Sequence, residues 1–426
     1  MPGGKAASML GRERDIRLDF FRGLALFIIY VVHAPMNPWT DYTPGKFGFS
    51  DTAEIFVFCS GAASAIAFGR IFDLRGFWAG TARVLQRCWQ VYWAHIGLFI
   101  SVLGSMILVD RWLDQGNAFV RGLHLDPFLS GDTASAIVGM MSLTYVPMLL
   151  DILPLYVVLL AMIPIVMALS RIHPAAVFAF IGLSWAGANA GLFNFPAEPW
   201  SDKSWFFNPF AWQLIFFSGF VLVRGWVPAM PINTRAFKIA VVLLVLAIPI
   251  AHEPTAVQWK VLGDARTALA PLIDKTHVGL LRYVHFLLLA YVAASLAGPN
   301  GMNLRRWADS GPVGASIVGA VTTVGSRALP VFVAGIMLSV FTGVALNLVG
   351  SNVFTVPAVN ILSFAGMIGV AYLSRWYKRP PWSKAASEAG KARATAEGPL
   401  AQTPASQSAS SASAQGDRAR PAADLR

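Results

Sequence analysis

The chain has 426 residues, of which 56% are apolar and 13% charged, and its mean hydropathy is +0.57. A soluble domain carries about 25% charged residues, so this composition excludes an ordinary cytosolic enzyme. Two cysteines are too few for a disulfide framework or a cysteine-rich metal site. The formal net charge of +11 is typical of membrane topology, so no nucleic-acid partner is expected.

Long apolar stretches predict an all-α, polytopic membrane protein. Because a helix needs about 20 mainly apolar residues to cross the bilayer core, we count about ten spans. We place them near 18–36, 52–69, 86–109, 147–169, 175–194, 209–223, 237–252, 279–297, 328–348 and 355–374.

The charges predict the orientation. Segment 1–17 is polar, and the apolar run after it is too long for a cleaved signal, so this run is expected to remain as the first span. If the N-terminus is cytoplasmic, 19 Lys and Arg up to residue 379 lie on the inner side and 8 on the outer side. The positive-inside rule therefore predicts that both termini are cytoplasmic.

Three regions follow from this pattern. We predict a cytoplasmic N-terminal segment at 1–17, a ten-helix transmembrane domain at 18–380 and a tail at 381–426. The tail is rich in Ala and Ser and has no aromatic residue from about 383 onward. Such a segment cannot bury enough apolar surface to offset its ordering entropy, so we expect a disordered cytoplasmic tail.

The first span carries two ionisable residues. Arg22 and His33 are 11 residues apart, which places them on nearly the same helix face and about 16 Å apart along the axis. Pro35 predicts that the helix ends or kinks near His33. Arg22 is equally readable as an interface anchor, and His33 as a histidine hydrogen-bonded between helices. Ionisable groups within spans are nevertheless functional candidates.

Further polar residues are predicted at the depth of His33. Asp51 and Glu54 share one face at the start of the second span. The others lie at the outer ends of later spans: Asp151, Tyr156, Asn208, Gln213, Lys275, Arg282 and His285. A histidine beside a carboxylate is the arrangement that a general base needs. This pattern favours a catalytic or transport cavity over a hydrogen-bond network that only joins helices.

The sequence contains no motif for metal binding, nucleotide binding or catalysis by a serine nucleophile. The seven histidines show no close helical pair, and the chain has no P-loop, G-x-S-x-G elbow or dinucleotide fingerprint. Cys59 and Cys88 lie singly within apolar runs, which is typical of core residues. No metal or redox cofactor is therefore expected.

Taken together, several segments resemble the OpgC family of inner-membrane succinyltransferases, within the acyltransferase-3 superfamily. They run from about residue 15 to 335: RDIRLDFFRGLALFIIYVVHAPMN, GFSDTAEIFVFCSG, LDILPLYVVLL, NPFAWQLIF, DKTHVGLLRYVHFL and GSRALPVF. Arg22 and His33 match the superfamily's Arg, ten residues, His pattern. Glu54 stands where the superfamily commonly has Asp.

The resemblance implies a ten-span enzyme of the bacterial inner membrane. Such an enzyme takes a succinyl group from cytoplasmic succinyl-CoA and delivers it to hydroxyls of periplasmic glucans. The partners are then acyl-CoA, the glucan acceptor and the bilayer, whereas the oligomeric state stays unknown. Cytoplasmic arginines can bind the CoA phosphates bidentately, and we assign Arg22, Arg83, Arg87 and Arg327 to this role.

The mechanistic hypothesis gives His33 the part of general base, with Glu54 orienting its imidazole. Arg282, His285 or Gln213 would stabilise the oxyanion, and Arg282 or Lys275 would pair with the succinyl carboxylate. The remaining polar residues, Asp51, Asp151, Tyr156 and Asn208, would bind substrate. Since no Ser or Cys is obviously paired with a base, we expect direct transfer rather than an acyl-enzyme.

Two alternatives stay open. The same chemistry could serve acetyl transfer to another envelope polysaccharide, because pocket shape sets acyl length. A proton-coupled transporter would use the same Asp, Glu and His residue types without bond chemistry.

Overall fold

The computed structural model describes residues 15–129, 131–147 and 149–378. The chain divides into one compact unit that ends at Arg375 and a second that begins at Trp376, of which only the first three residues are described. Most of the predicted segment 1–17 and the whole predicted tail 381–426 lie outside the described residues.

The described part of the chain is helical, and its only extended pairing is an isolated bridge between Pro196 and Ser204. The twelve helices of ten or more residues are α1 Ile16–His33, α2 Thr52–Arg75, α3 Phe77–Trp112, α4 Thr133–Ser142, α5 Ile152–Ile172, α6 Pro174–Asn189, α7 Pro209–Arg224, α8 Thr234–Ala251, α9 Leu280–Ala297, α10 Pro312–Ser326, α11 Ala328–Val349 and α12 Thr355–Lys378. Shorter helices are Pro38–Tyr42, Pro44–Phe47, Ala118–Gly122, Asp126–Phe128, Glu253–Gln258, Lys260–Ala268, Ala270–Ile273, Pro299–Gly301 and Met302–Asp309.

Polar residues fix the beginnings of several helices. Asp15, Asp51, Asn208 and Asn233 each accept a backbone N–H of the first turn of α1, α2, α7 and α8 through a side-chain oxygen. These caps satisfy amide groups that lack an intrahelical partner. Helix α1 ends at His33, two residues before Pro35, as the sequence predicts.

All ten predicted spans coincide with helices, and seven of these are long and apolar enough to cross a membrane. The other three are α1, α6 and α7. Helix α1 carries three charged residues, and α6 and α7 have 16 residues each. Sixteen residues reach only about 24 Å, less than the roughly 30 Å bilayer core. The all-helical membrane class is therefore confirmed, whereas the count of ten spans remains a prediction.

Two apolar helices were not predicted, α4 and α10. Both are shorter than the length that identifies a span, with 10 and 15 residues. Helix α10 packs closely along α1 because glycines stand at their contacts. A Cβ on Gly23 would collide with the carbonyl of Val321, and one on Gly325 with the carbonyl of Asp19.

Glycines also allow the close contact between α2 and α7. A side chain at Gly61 would collide with the carbonyl of Phe216, and one at Gly219 with the carbonyl of Phe58. Small residues let membrane helices approach to van der Waals contact, which replaces the hydrophobic driving force that lipid cannot provide. Helices α1, α2, α7 and α10 thus form a closely packed group whose ends position the polar residues described next.

Candidate active site

The candidate site lies at the end of the helices where α1 terminates, which we call the His33 end. There α2 and α9 begin, and segment 274–279 leads into α9. Hydrogen bonds across more than 220 positions of sequence join these elements. Five of the predicted polar residues therefore meet at one place: Asp51, Glu54, Lys275, Arg282 and His285.

His33 is held by its own helix. Its Nδ1 lies 2.7 Å from the carbonyl oxygen of Ile29. Because a carbonyl only accepts hydrogen bonds, Nδ1 must carry the proton, and the neutral ring then presents a lone pair at Nε2. The side chain is partly exposed and lies within electrostatic range of Lys275 and Asp51.

Asp51 and Lys275 form an ion pair in which Lys275 Nζ donates to Asp51 Oδ2 at 2.5 Å. Asp51 also caps α2, because its Oδ1 accepts from the Ala53 amide at 2.8 Å. Burial acts to raise the pKa of the Asp51 carboxyl, but the positive charges of Lys275 and Arg282 outweigh burial and hold that pKa well below its ordinary value. Asp51 is therefore an ionised anchor for Lys275.

Glu54 differs from its predicted part. Its Oε1 accepts from Arg282 Nη1 at 2.6 Å and its Oε2 accepts from the Asp51 amide at 2.8 Å, and the side chain is fully buried. Both carboxylate oxygens thus have donors other than His33, and the carbonyl of Ile29 orients the imidazole instead. Glu54 positions Arg282, whose Nε also donates to the carbonyl of Ile273. No described residue accepts a hydrogen bond from Arg282 Nη2.

His285 makes a contact that the sequence did not reveal. Its Nδ1 lies 2.7 Å from Ser50 Oγ, and the ring packs against Phe49. Gly48 permits this arrangement, because a Cβ at that position would lie 2.7 Å from His285 Nε2. The Gly-Phe-Ser run before α2 therefore forms the surface against which His285 packs. In the sequence, the glycine at position 48 is the feature that permits this close packing.

Segment 274–279 is fixed by side chains of α6 and α7. Trp212 Nε1 donates to the carbonyl of Lys275 at 3.0 Å, and Trp185 Nε1 donates to the carbonyl of Val278 at 2.9 Å. Asn189 donates to the carbonyl of His277. The ammonium group of Lys275 lies over the rings of Phe206 and Phe207, 5.6 and 5.5 Å from their centroids. The position of Lys275 is thus fixed both by a hydrogen bond to its backbone carbonyl and by contacts of its ammonium group.

Asp151 and Gln213 carry buried polar atoms without a partner in the described chain. Asp151 is 3% exposed, and neither of its carboxylate oxygens has a hydrogen bond. The ammonium group of Lys275 lies within electrostatic range of this carboxyl. Gln213 donates to the carbonyls of Ile181 and Phe210, so its unpartnered atom is the acceptor Oε1.

Gln213 is therefore unsuited to stabilise an oxyanion, because both of its N–H groups are used. Asn208 is also occupied, since its side chain caps α7 and donates to Phe193 and Asn194. These bonds give Asn208 a structural part. Tyr156 is partly buried on α5 with its ring near Phe216, 6.3 Å between centroids.

The four predicted CoA arginines lie on other elements. Arg22 donates to Asp19 at 2.9 Å and to the carbonyl of Gly325 at 2.6 Å, which brings it close to the segment that leads to Arg327. Arg83 and Arg87 bond Gln86 and Gln90 on their own helix, α3. The described contacts therefore bring Arg22 near the Arg327 segment, and they do not join either of these to Arg83 or Arg87.

The structure defines an all-helical membrane protein with a charged cluster at one end of its helices and no group of His, Cys, Asp or Glu among the described residues that could hold a metal ion. The OpgC protein family model matches residues 14–379, and the chain belongs to this family. Membership supports a role in glucan modification by acylation and indicates an acyltransferase. No curated protein and no solved structure matches the chain.

Proposed function

We propose that this protein is an inner-membrane O-acyltransferase that moves a succinyl group from cytoplasmic succinyl-CoA to hydroxyls of periplasmic glucans. The family match over 14–379 supports acylation of a glucan. The observation that carries the chemistry is the bond from His33 Nδ1 to the carbonyl of Ile29, since it leaves Nε2 as a base.

In the proposed reaction, His33 Nε2 accepts the proton of a glucan hydroxyl. The hydroxyl oxygen attacks the thioester carbonyl carbon, and an oxyanion forms at the carbonyl oxygen. When the C–S bond breaks, the imidazolium returns its proton to the CoA thiolate. The products are a succinyl ester and CoA. Transfer is direct in this scheme, because the glucan hydroxyl attacks the thioester and no enzyme nucleophile is needed. Cys59 and Cys88 are buried, and Ser50 is buried with its Oγ bonded to His285, to which this scheme gives another role.

The oxyanion requires donors that are already oriented. Arg282 fits this requirement, because Glu54 and the carbonyl of Ile273 hold its guanidinium and Nη2 remains available. Lys275 fits the succinyl carboxylate, since its ammonium group has three donors and the described structure uses one, on Asp51. His285, held by Ser50, is a second candidate donor to the oxyanion.

The donor would enter from the opposite end of the helices. We assign the CoA phosphates to Arg22 and Arg327 first, because the contact between Arg22 and Gly325 places them on neighbouring segments. Arg83 and Arg87 are partly or fully exposed on α3 and would contribute to the approach of an anion. No metal or redox cofactor takes part in this proposal.

Deletion and complementation test the proposal. The gene is deleted and replaced by wild type or by His33→Ala, and the periplasmic glucans are examined for succinyl mass increments and negative charge. We expect wild type to restore the substituent and His33→Ala to abolish it at normal membrane levels. His173→Ala is the matched control, because His173 lies outside the cluster, exposed between α5 and α6.

Other results discriminate the alternatives. Acetyl instead of succinyl increments would retain the mechanism and change the acyl group. Identical glucans in all strains would reject glucan acylation, and solute flux that depends on a proton gradient in vesicles would then favour transport.

A further inference from the structure

A cavity of about 260 Å³ opens beside the charged cluster. Its lining is formed by three separate segments: Val146, then Asn194, Ala197, Lys203, Ser204, Trp205 and Phe206, and finally Thr276 and His277. The last pair directly follows Lys275. The cavity therefore lies between the segment that leads to Asp151 and the segment that carries Lys275.

The walls of the cavity are preorganised. Residues 195–205 form a tight turn in which the Ala197 amide donates to the carbonyl of Lys203 at 2.7 Å and the Trp205 amide donates to the carbonyl of Phe195 at 2.9 Å. The Val146 amide donates to the carbonyl of Ala197 at 2.9 Å, which ties this turn to the segment before α5. A ligand would bind here with little loss of backbone entropy.

Trp205 contributes aromatic surface to this lining. The residue is 4% exposed, and its ring packs against Phe195 with 5.3 Å between the ring centroids. This packing fixes the orientation of the indole in the wall of the cavity.

The cavity is also connected to the cluster. Phe206 lies in its wall, and the ammonium group of Lys275 lies over the Phe206 ring while it donates to Asp51. The lining combines aromatic rings with hydroxyl, amide, imidazole and ammonium groups. Aromatic surface together with neutral donors and acceptors is the combination that binds an uncharged polyhydroxylated ring, whereas an anion would need more unpaired cations. Lys203 does not supply one, since it pairs with Glu198 at 2.9 Å.

We infer that this cavity binds one sugar unit of the acceptor glucan, with Trp205 and Phe206 supplying aromatic surface and the neighbouring unit directed at Lys275 and His33. This inference rests on the proposed function, whose acceptor it locates. It assigns acceptor binding to the turn 195–205 and to Thr276, none of which the sequence patterns identified.

Equilibrium binding of unsubstituted glucan, extracted from the deletion strain, tests the inference without any need for acyl transfer. Full-length protein in nanodiscs is titrated with this glucan, and separately with succinyl-CoA. Ser204→Trp fills the cavity from an exposed position, and we expect it to weaken glucan binding more than about tenfold.

Trp200→Phe is the matched control, because Trp200 lies on the same turn but packs on Tyr145 outside the cavity. It should bind glucan as wild type does, and both variants should bind succinyl-CoA unchanged. Wild-type affinity for glucan in Ser204→Trp, or no binding of glucan to wild type, would overturn the inference. If Ser204→Trp loses glucan binding but wild type transfers no succinyl group, the proposed function fails and the sugar site stands.

Discussion

At the scale of single residues, the site depends on which carboxylates form ion pairs with which cations. At the His33 end, two ion pairs join distant parts of the described chain, Asp51 with Lys275 and Glu54 with Arg282. Asp151 is a third carboxyl in the same region, and it has no cation of its own. A buried carboxyl without hydrogen bonds costs stability, and proteins keep such groups mainly where function needs them.

This imbalance predicts a gain of stability in Asp151→Asn. Burial of a carboxylate without hydrogen bonds costs more free energy than burial of an amide, because the carboxylate carries a charge. The free energy of unfolding of the variant should therefore exceed that of wild type by about 1–3 kcal/mol. Thermal unfolding of the two proteins measures the difference.

Asp110→Asn is the control for this prediction. Asp110 is also buried, but its oxygens accept from the amides of Phe119 and Val120 at 3.1 and 2.9 Å. Its replacement should destabilise the protein by about 1–3 kcal/mol, because an amide nitrogen would face a donor. A melting temperature of Asp151→Asn equal to or below that of wild type would contradict the interpretation.

At the scale of helices, close approach at glycines decides how the site is assembled. The contact of α2 with α7 fixes where Glu54 stands relative to Trp212, which in turn holds Lys275 through a hydrogen bond to its carbonyl. The charged cluster therefore depends on a helix contact that lies deeper along the same helices. Hydrogen bonds between Asn37 and Asn360, 2.9 and 3.2 Å, join the segment after α1 to α12 in the same way.

Gly219→Leu should disrupt the contact between α2 and α7. The new side chain would collide with the carbonyl of Phe58, and overpacking of this kind costs about 1–3 kcal/mol. We expect a lower melting temperature and a loss of acyl transfer together. Gly97→Leu is the matched control, since Gly97 lies within α3 and a Cβ there meets no atom within 4 Å. Equal melting temperatures for both variants would show that the contact is not tight.

At the scale of the whole molecule, the orientation in the membrane decides which substrate meets which end. The proposed reaction needs the His33 end to face the periplasm and the Arg22 end to face the cytoplasm. Charge distribution predicts this orientation, with 19 Lys and Arg on the inner side against 8 outside. The 260 Å³ cavity would then open toward the glucan.

Cysteine labelling measures the orientation directly. In a Cys59→Ala, Cys88→Ala background, we expect a membrane-impermeant maleimide to label Asp41→Cys in spheroplasts, and Asp73→Cys only after permeabilisation. Both positions are accessible, with side chains 70% and 50% exposed; Asp41 precedes α2, and Asp73 lies in its last turn at the opposite end. Labelling in the reverse order would invert the topology and place the cluster in the cytoplasm. Labelling of both after permeabilisation is the control.

The class of protein and most of the helices follow from local features of the sequence. Apolar length identifies a membrane helix because the bilayer core imposes one length on every span, and all ten predicted stretches are helical. The family is also readable from local motifs, and the match over 14–379 confirms it. Helix α10 was not predicted, because its 15 residues are fewer than a membrane span requires.

Which side chains pair in the charged cluster depends on how the helices pack. Lys275 and Arg282 lie more than 220 residues from Asp51 and Glu54, and sequence spacing carries no information about a contact that depends on helix packing. The prediction that Glu54 orients His33 assumed that the short connection between the first two spans brings these side chains together, whereas the carbonyl of Ile29 lies one helical turn away on the same helix. The cavity lined by Trp205 lies where three separate segments of the chain come together, and a local sequence pattern does not predict which segments become neighbours.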